Sequence, residues 1–475
     1  MIDLSKNSNF ALCFLRMNLK PYTKEFRYNL HLATPVILGM LGHTLVGFID
    51  NAMVGKLGTT ELAAVALGNS IIFLVMVLGI GFSTAITPFT AEAYSANDVK
   101  QKKSILKHGL FSCSMLSILL LPILFFAEDI MHATKQDQEV INLALPYVQW
   151  VAISLIPLMV FQALKQFSDG LSLTKYPMYV TIIGNVVNVI LNYLFIYGTF
   201  GCPKLGVLGA AVGTLASRFI MPFLLWFILI KNPKTQLYFI GVHWRKIHWK
   251  PIKKLIYIGV PSALQMISEA GVFIAATWIS GALGKNYQAS NQIALSLASL
   301  TFIIASGLSI VAMIRVSNFK GLNDYINLRR VAISVFLFTL LCQITLALAY
   351  VTFREWIPAI FLDTNDISSA QDITFVIENA KKLLLIAGIF QISDGLQVVA
   401  LGALRGFQDV KIPMIISLIA YWIICFPISY YLGLYTTLNT MGIWIGLLVG
   451  LTVAAILLTA RFLHISKKMI RLNHS

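Results

Sequence analysis

Twelve apolar stretches, each long enough to cross a bilayer, alternate with short polar segments along the chain. A hydrocarbon core about 30 Å thick needs about 20 consecutive apolar residues when each adds about 1.5 Å of helix. The stretches run over about 30–55, 61–90, 106–127, 142–164, 177–198, 205–230, 255–283, 289–314, 331–352, 383–404, 412–434 and 440–463. They predict an all-α integral membrane protein of twelve transmembrane helices. The earlier apolar patch Phe10–Leu15 is too short to span and is followed by polar sequence without an A-x-A-type site. It reads as an interfacial or disordered tail, not a signal peptide.

The pattern repeats. At a constant offset of 226, Pro35 pairs with Pro261, Gly81 with Gly307, and Asn97-Asp98 with Asn323-Asp324. After a longer loop in the second half the offset becomes 236, pairing Gly170 with Gly406, Lys175 with Lys411, Pro177 with Pro413 and Gly206 with Gly442. Two six-helix lobes are expected: 30–230 and 255–463, joined by a basic linker at 231–254 and flanked by tails at 1–29 and 464–475. Six is even, so both lobes enter from the same side and form a parallel repeat about an axis along the membrane normal. Such a duplication places a cavity between two bodies that can rock, which is how transporters are built.

Charge adds an orientation. Of 36 Lys and Arg residues, 28 fall in or at the edge of the segments on the N-terminal side of the spans and 7 in the opposite loops, leaving only Arg218 in the interior of a span. Basic short loops stay cytoplasmic, so both termini are expected in the cytoplasm of a cell whose inner membrane holds the protein. The net charge of +16 is therefore a topology signal. It is spread over seven segments and does not form a nucleic-acid-binding domain. Across the 475 residues 57% are hydrophobic and 12% charged, and the mean hydropathy is +0.78. A soluble globular enzyme is excluded. Five scattered cysteines without a CxxC pair suggest neither a disulfide framework nor zinc.

Ionisable groups within spans are costly and are functional candidates for that reason. Asp50 lies toward the outer end of helix one, Glu269 near the middle of helix seven and Asp394 near the middle of helix ten. In helix five Asn188 and Asn192 stand four residues apart and share a face. Their amides could meet Asp50 and either coordinate a cation or hydrogen-bond a protonated acid; alternatively Asp50 reaches headgroup water. Asn185 lies on another face and reads as an interhelical hydrogen-bond donor. Arg218 reads as a local partner for a helix end or an acid. His43, two turns before Asp50, is a candidate proton relay, although a lone histidine is more often structural. The repeat maps Glu269 onto His43, Asp50 onto Ala276, Asp394 onto Leu158, and Asn188 and Asn192 onto Ile424 and Ile428. The scaffold is duplicated and its polar chemistry is not, which favours site groups over scaffold requirements.

No GxxxxGK[ST] loop, HExxH or DDxxD cluster occurs, so neither ATP hydrolysis nor a recognisable enzyme reaction is indicated. Transport energy would come from an ion gradient. The stretches PVILGMLGHTLVGFIDNAMVGKLGTTELAAVALG, GNVVNVILNYLFIYG, GVPSALQMISEAG and SDGLQVVALGALRGFQDVKIPM, in this order, resemble the multidrug and toxic compound extrusion (MATE) family, NorM-type branch. The similarity runs from about residue 25 to about 464. It implies a V-shaped, two-lobe antiporter, expected as a monomer, that exports cationic or amphipathic drugs and toxic organic compounds against inward Na⁺ or H⁺. No other cofactor or metal is implied. The resemblance carries an N-lobe cation or proton site onto Asp50, Asn188 and Asn192, and a C-lobe cation or substrate site onto Glu269 and Asp394. The tyrosine that the family places one turn before the helix-ten aspartate is Phe390 here, one oxygen fewer. The competing class is a lipid-linked saccharide flippase of a related fold. Its cavity should hold several Arg or Lys for pyrophosphate, whereas a single Arg lies in the interior of these spans.

Overall fold

The computed structural model describes residues 20–134, 136–241, 246–361 and 370–474. Cys13, Lys135, the Phe10–Leu15 patch and parts of the N-terminal tail and the linker lie outside them. The first six spans are α1 (Phe26–Gly55), α2 (Thr59–Ser83, continued as Ile86–Ser95), α3 (Val99–Phe125), α4 (Gln138–Ile153 and Leu155–Gly170), α5 (Lys175–Tyr197) and α6 (Val207–Lys231). The second six are α7 (Trp249–Leu283), α8 (Lys285–Gly321), α9 (Tyr325–Phe353), α10 (Ala370–Gly406), α11 (residues 411–434) and α12 (Thr440–His474). Several run well past the predicted stretches, since a helix need not stop where the hydrocarbon does. α8 and α10 each have 37 residues.

Two spans depart from straight helices for local reasons. α4 bends by 41° at Ser154, whose hydroxyl donates back to the Val151 carbonyl at 2.6 Å and competes with the helical ladder. In α11 the backbone widens into a π-helical stretch over Ile419–Cys425. Such bulges re-aim side chains and recur at functional sites.

The duplication is visible in the turns. Asn97 and Asn323 both take the left-handed conformation, at φ 54° and 56°. The Asp98 and Asp324 carboxylates that follow cap α3 and α9 by accepting from the Gln101 and Asn327 amides.

Each lobe has its own hydrophobic core, and each core takes in the root of a helix from the other lobe. The N-lobe core includes Leu255, Ile258 and Ala263 of α7. The C-lobe core includes Leu32 and Ala33 of α1, with Ile37 packed against it. Leu32 and Ile258 are repeat mates, as are Ile37 and Ala263. A Cβ on Gly81 of α2 would lie 2.7 Å from the Ala263 backbone, and one on its mate Gly307 of α8 2.4 Å from Ile37. Glycine at both places lets the helices cross at close range.

Hydrogen bonds between the lobes lie, among the described residues, at one end. Arg315 of α8 donates to Glu25 at 2.7 Å and to Asn29 at 2.6 Å. Asn29 donates to Ser334 at 3.2 Å, and Ser334 donates to the Tyr22 carbonyl at 2.7 Å. Lys320 pairs with Glu92 at 3.3 Å, and Gln408 also donates to Glu92. Both ends of the described chain sit here, for Asn473 reaches the Asn323 carbonyl.

Candidate functional site

The N-lobe cluster forms where α1, α5 and α6 meet. Asn192 donates to the Asp50 carboxylate at 2.7 Å and to the Asn188 carbonyl oxygen at 3.3 Å, and Asn188 donates to Thr214 at 3.4 Å. A chain of amides thus ends on the acid, and Asn188 acts on Asp50 through Asn192. The i, i+4 spacing on α5 makes the chain possible. Gly213 on α6 gives it room, because a Cβ there would lie 2.0 Å from the Asn192 side-chain oxygen. That oxygen is buried without a hydrogen-bond partner. Tyr197 donates to the Met53 carbonyl at 2.8 Å and ties α5 to α1 one turn beyond the acid.

Arg218 of α6 donates to Ser154 at 2.8 Å, at the bend of α4. Its charge also reaches Asp50 and His43. The His43 ring is accessible to solvent although surrounded by the spans, and it makes no hydrogen bond among the described residues. The structure therefore gives it electrostatic contact with the cluster and no bonded relay to Asp50. Asn185 forms no interhelical hydrogen bond among the described residues either. Its amide packs against Gly42, the smallest residue α1 can offer, and this corrects the donor role that its position suggested.

The C-lobe cluster spans α7, α10 and α11. Glu269 and Asp394 lie close enough for their charges to interact. Gln265 donates to Glu269 at 3.3 Å and accepts from Arg405. Around the two acids stand buried polar atoms without hydrogen-bond partners: one oxygen each of Glu269 and Asp394, the Gln397 side-chain oxygen and the Tyr421 hydroxyl, while the Gln397 amide faces Glu269. Leaving such groups unpaired away from water costs about 1–3 kcal/mol apiece. Several of them gathered around two carboxylates make a polar pocket inside an otherwise apolar bundle. Hard oxygen donors of this kind suit Na⁺, and either carboxylate suits a proton. Phe390 turns into an aromatic cluster with Phe273 and Trp444, at ring distances of 6.1 and 5.3 Å.

Gln265, Gln397, Arg405 and Tyr421 carry no signal in the sequence that marks them as site residues. Arg405, just past the apolar stretch 383–404, lies in the last turn of α10 with its side chain on Gln265 of α7. Asp169, beyond the end of the apolar stretch 142–164, belongs to α4, where it is buried beside Lys165 at 3.5 Å.

A duplicated twelve-helix bundle with polar groups buried inside each lobe has the architecture of two-lobe membrane transporters. The MatE family pattern matches residues 35–194 and 261–431, one block in each lobe. The chain belongs to the MatE family of multidrug and toxic compound extrusion proteins. It is 31% identical over 445 residues to a probable multidrug resistance protein NorM of Rhizobium meliloti (strain 1021), covering 94% of each chain. It is 32% identical over 459 residues to the multidrug resistance protein MdtK of Proteus mirabilis (strain HI4320), covering 95% of this chain and 98% of that one. Among solved structures, MATE in the bent conformation superposes with a TM-score of 0.85 at 18% identity, covering 96% of this chain and 99% of that one. The eukaryotic MATE transporter AtDTX14 does so with 0.82 at 21% identity, covering 94% and 99%.

Proposed function

We propose that the protein is a secondary active antiporter of the inner membrane that exports cationic or amphipathic organic compounds in exchange for inward Na⁺ or H⁺, with both termini in the cytoplasm. The reading is supported above all by the unpaired oxygens of Glu269, Asp394, Gln397 and Tyr421 at the centre of a rocking fold. With the termini inside, the lobes are joined on the cytoplasmic side, and the structure corresponds to an outward-facing state.

Exchange follows from competition. An ionised carboxylate in a low-dielectric cavity attracts a bound ion or a cationic drug, and either one neutralises the charge that would hold the other. Asp50 with Asn192 and Asn188 serves as the N-lobe coupling group, and Glu269 with Asp394 as the C-lobe group. His43 and Arg218 shape the field around Asp50. In this reading exchange needs no covalent chemistry, and a single two-lobe chain carries both the coupling groups and the cavity between the lobes. A saccharide flippase would need cations free to hold pyrophosphate, whereas Arg218 lies in the field of Asp50 and Arg405 in that of Glu269.

The test is ethidium efflux from proteoliposomes under a Na⁺ gradient and a pH gradient imposed separately. One gradient should drive efflux and the other should not. Efflux indifferent to both would overturn antiport.

A further inference from the structure

On the terminal side of the N-lobe, the start of α1 and the start of α5 bound an open groove of about 690 Å³. Its lining combines the basic Lys24, Arg27, His31 and Lys175 with Leu30, Thr34, Pro35, Leu38 and Met178, and with Tyr28 and Tyr179. Lys24, Arg27 and Lys175 are exposed. None of the three forms an ion pair among the described residues. The nearest acid in sequence, Glu25, is already taken by Arg315 at 2.7 Å and Arg330 at 3.8 Å. Three cations without an ion-pair partner therefore line a cleft whose remaining wall is largely apolar, beside two half-exposed tyrosines, Tyr179 and Tyr28, the latter under the Arg315 guanidinium at 4.8 Å.

We propose that this groove binds one anionic phospholipid of the leaflet on the terminal side. Its phosphate lies among Lys24, Arg27 and Lys175, and an acyl chain runs along Leu30 and Leu38. Basic pockets between transmembrane helices at the headgroup level have this chemistry. The position has a further meaning. Asn29 and Glu25, on the same stretch as Lys24 and Arg27, carry the Arg315 contacts that join the lobes. A lipid seated here steadies the root of α1 and favours the state in which those contacts are made.

The experiment uses the purified full-length protein in detergent, with short-chain phosphatidylglycerol, phosphatidylcholine of equal chain length, or inorganic phosphate at matched concentration. Phosphatidylglycerol should raise the melting temperature and remain bound in native mass spectrometry, and the other two should not. The triple variant Lys24→Gln, Arg27→Gln, Lys175→Gln should bind it about tenfold or more weakly, since each surface cation contributes to holding an anionic headgroup. Lys24→Arg with Lys175→Arg should retain binding, as should Lys467→Gln with Lys468→Gln, which removes two exposed charges elsewhere on the same side. Leu38→Trp, which fills the acyl part and leaves every charge in place, should also weaken binding. Equal effects of phosphatidylcholine or phosphate would overturn the proposal. So would unchanged phosphatidylglycerol binding by the triple variant, or by Leu38→Trp should the triple variant not fold.

Discussion

Replacing Asp50 by Asn keeps the shape of the group that Asn192 touches and removes its charge. Gradient-driven efflux should then fall to background at normal expression, whereas Asp50→Glu should retain part of it, because only the reach changes. Near-normal transport by Asp50→Asn would move coupling to the C-lobe. There, Tyr421→Phe deletes one unpaired oxygen from a buried cluster and nothing of the aromatic volume. The expected result is a drop of several-fold in the affinity for the coupling ion, about the worth of one hydrogen bond, read from the ion dependence of efflux. Glu269→Gln and Asp394→Asn should abolish that dependence while leaving membrane insertion intact. The acids were legible in the sequence because a charge inside an apolar run stands out. Gln265, Gln397 and Tyr421 were not, because neutral polar residues are common in spans and only the packing of α7, α10 and α11 gathers them.

Elements place these groups through small residues. Gly213→Ala would put a methyl group where the Asn192 side-chain oxygen now sits, so the amide must leave Asp50. The variant should insert and melt nearly as before, yet lose coupling about as fully as Asn192→Ala. Retained coupling would show that α6 can yield and that the amide contact is dispensable. Span number and the repeat could be read from hydropathy and offsets, since both need only the order of residues. The bend at Ser154 and the π-helical turn around Tyr421 could not, because a serine or a tyrosine in an apolar run has no sequence signature of the backbone it will adopt.

At the scale of the whole molecule, the terminal-side contacts hold one of two states. Arg315→Gln leaves Glu25 without its closest partner and should shift the population toward the opposite opening by about tenfold, given about 1.5–3 kcal/mol for a hydrogen bond to a charged group. Labelling rates of cysteines placed between the roots of α1 and α8 measure that shift, and unchanged rates would argue that packing alone keeps the lobes closed. Reporters fused at residues 240 and 366 should behave as cytoplasmic and external, respectively; reversed labels would overturn the orientation. The crossed roots of α1 and α7 have a bearing on biogenesis. A chain made from its N-terminus leaves the ribosome with its first lobe incomplete. That lobe must wait for Leu255, Ile258 and Ala263 before its core can close, while the root of α1 stays bare until α8 arrives. Each half is thus the other's chaperone during synthesis. Two separately translated fragments, cut within the linker, should accumulate in the membrane only when made together.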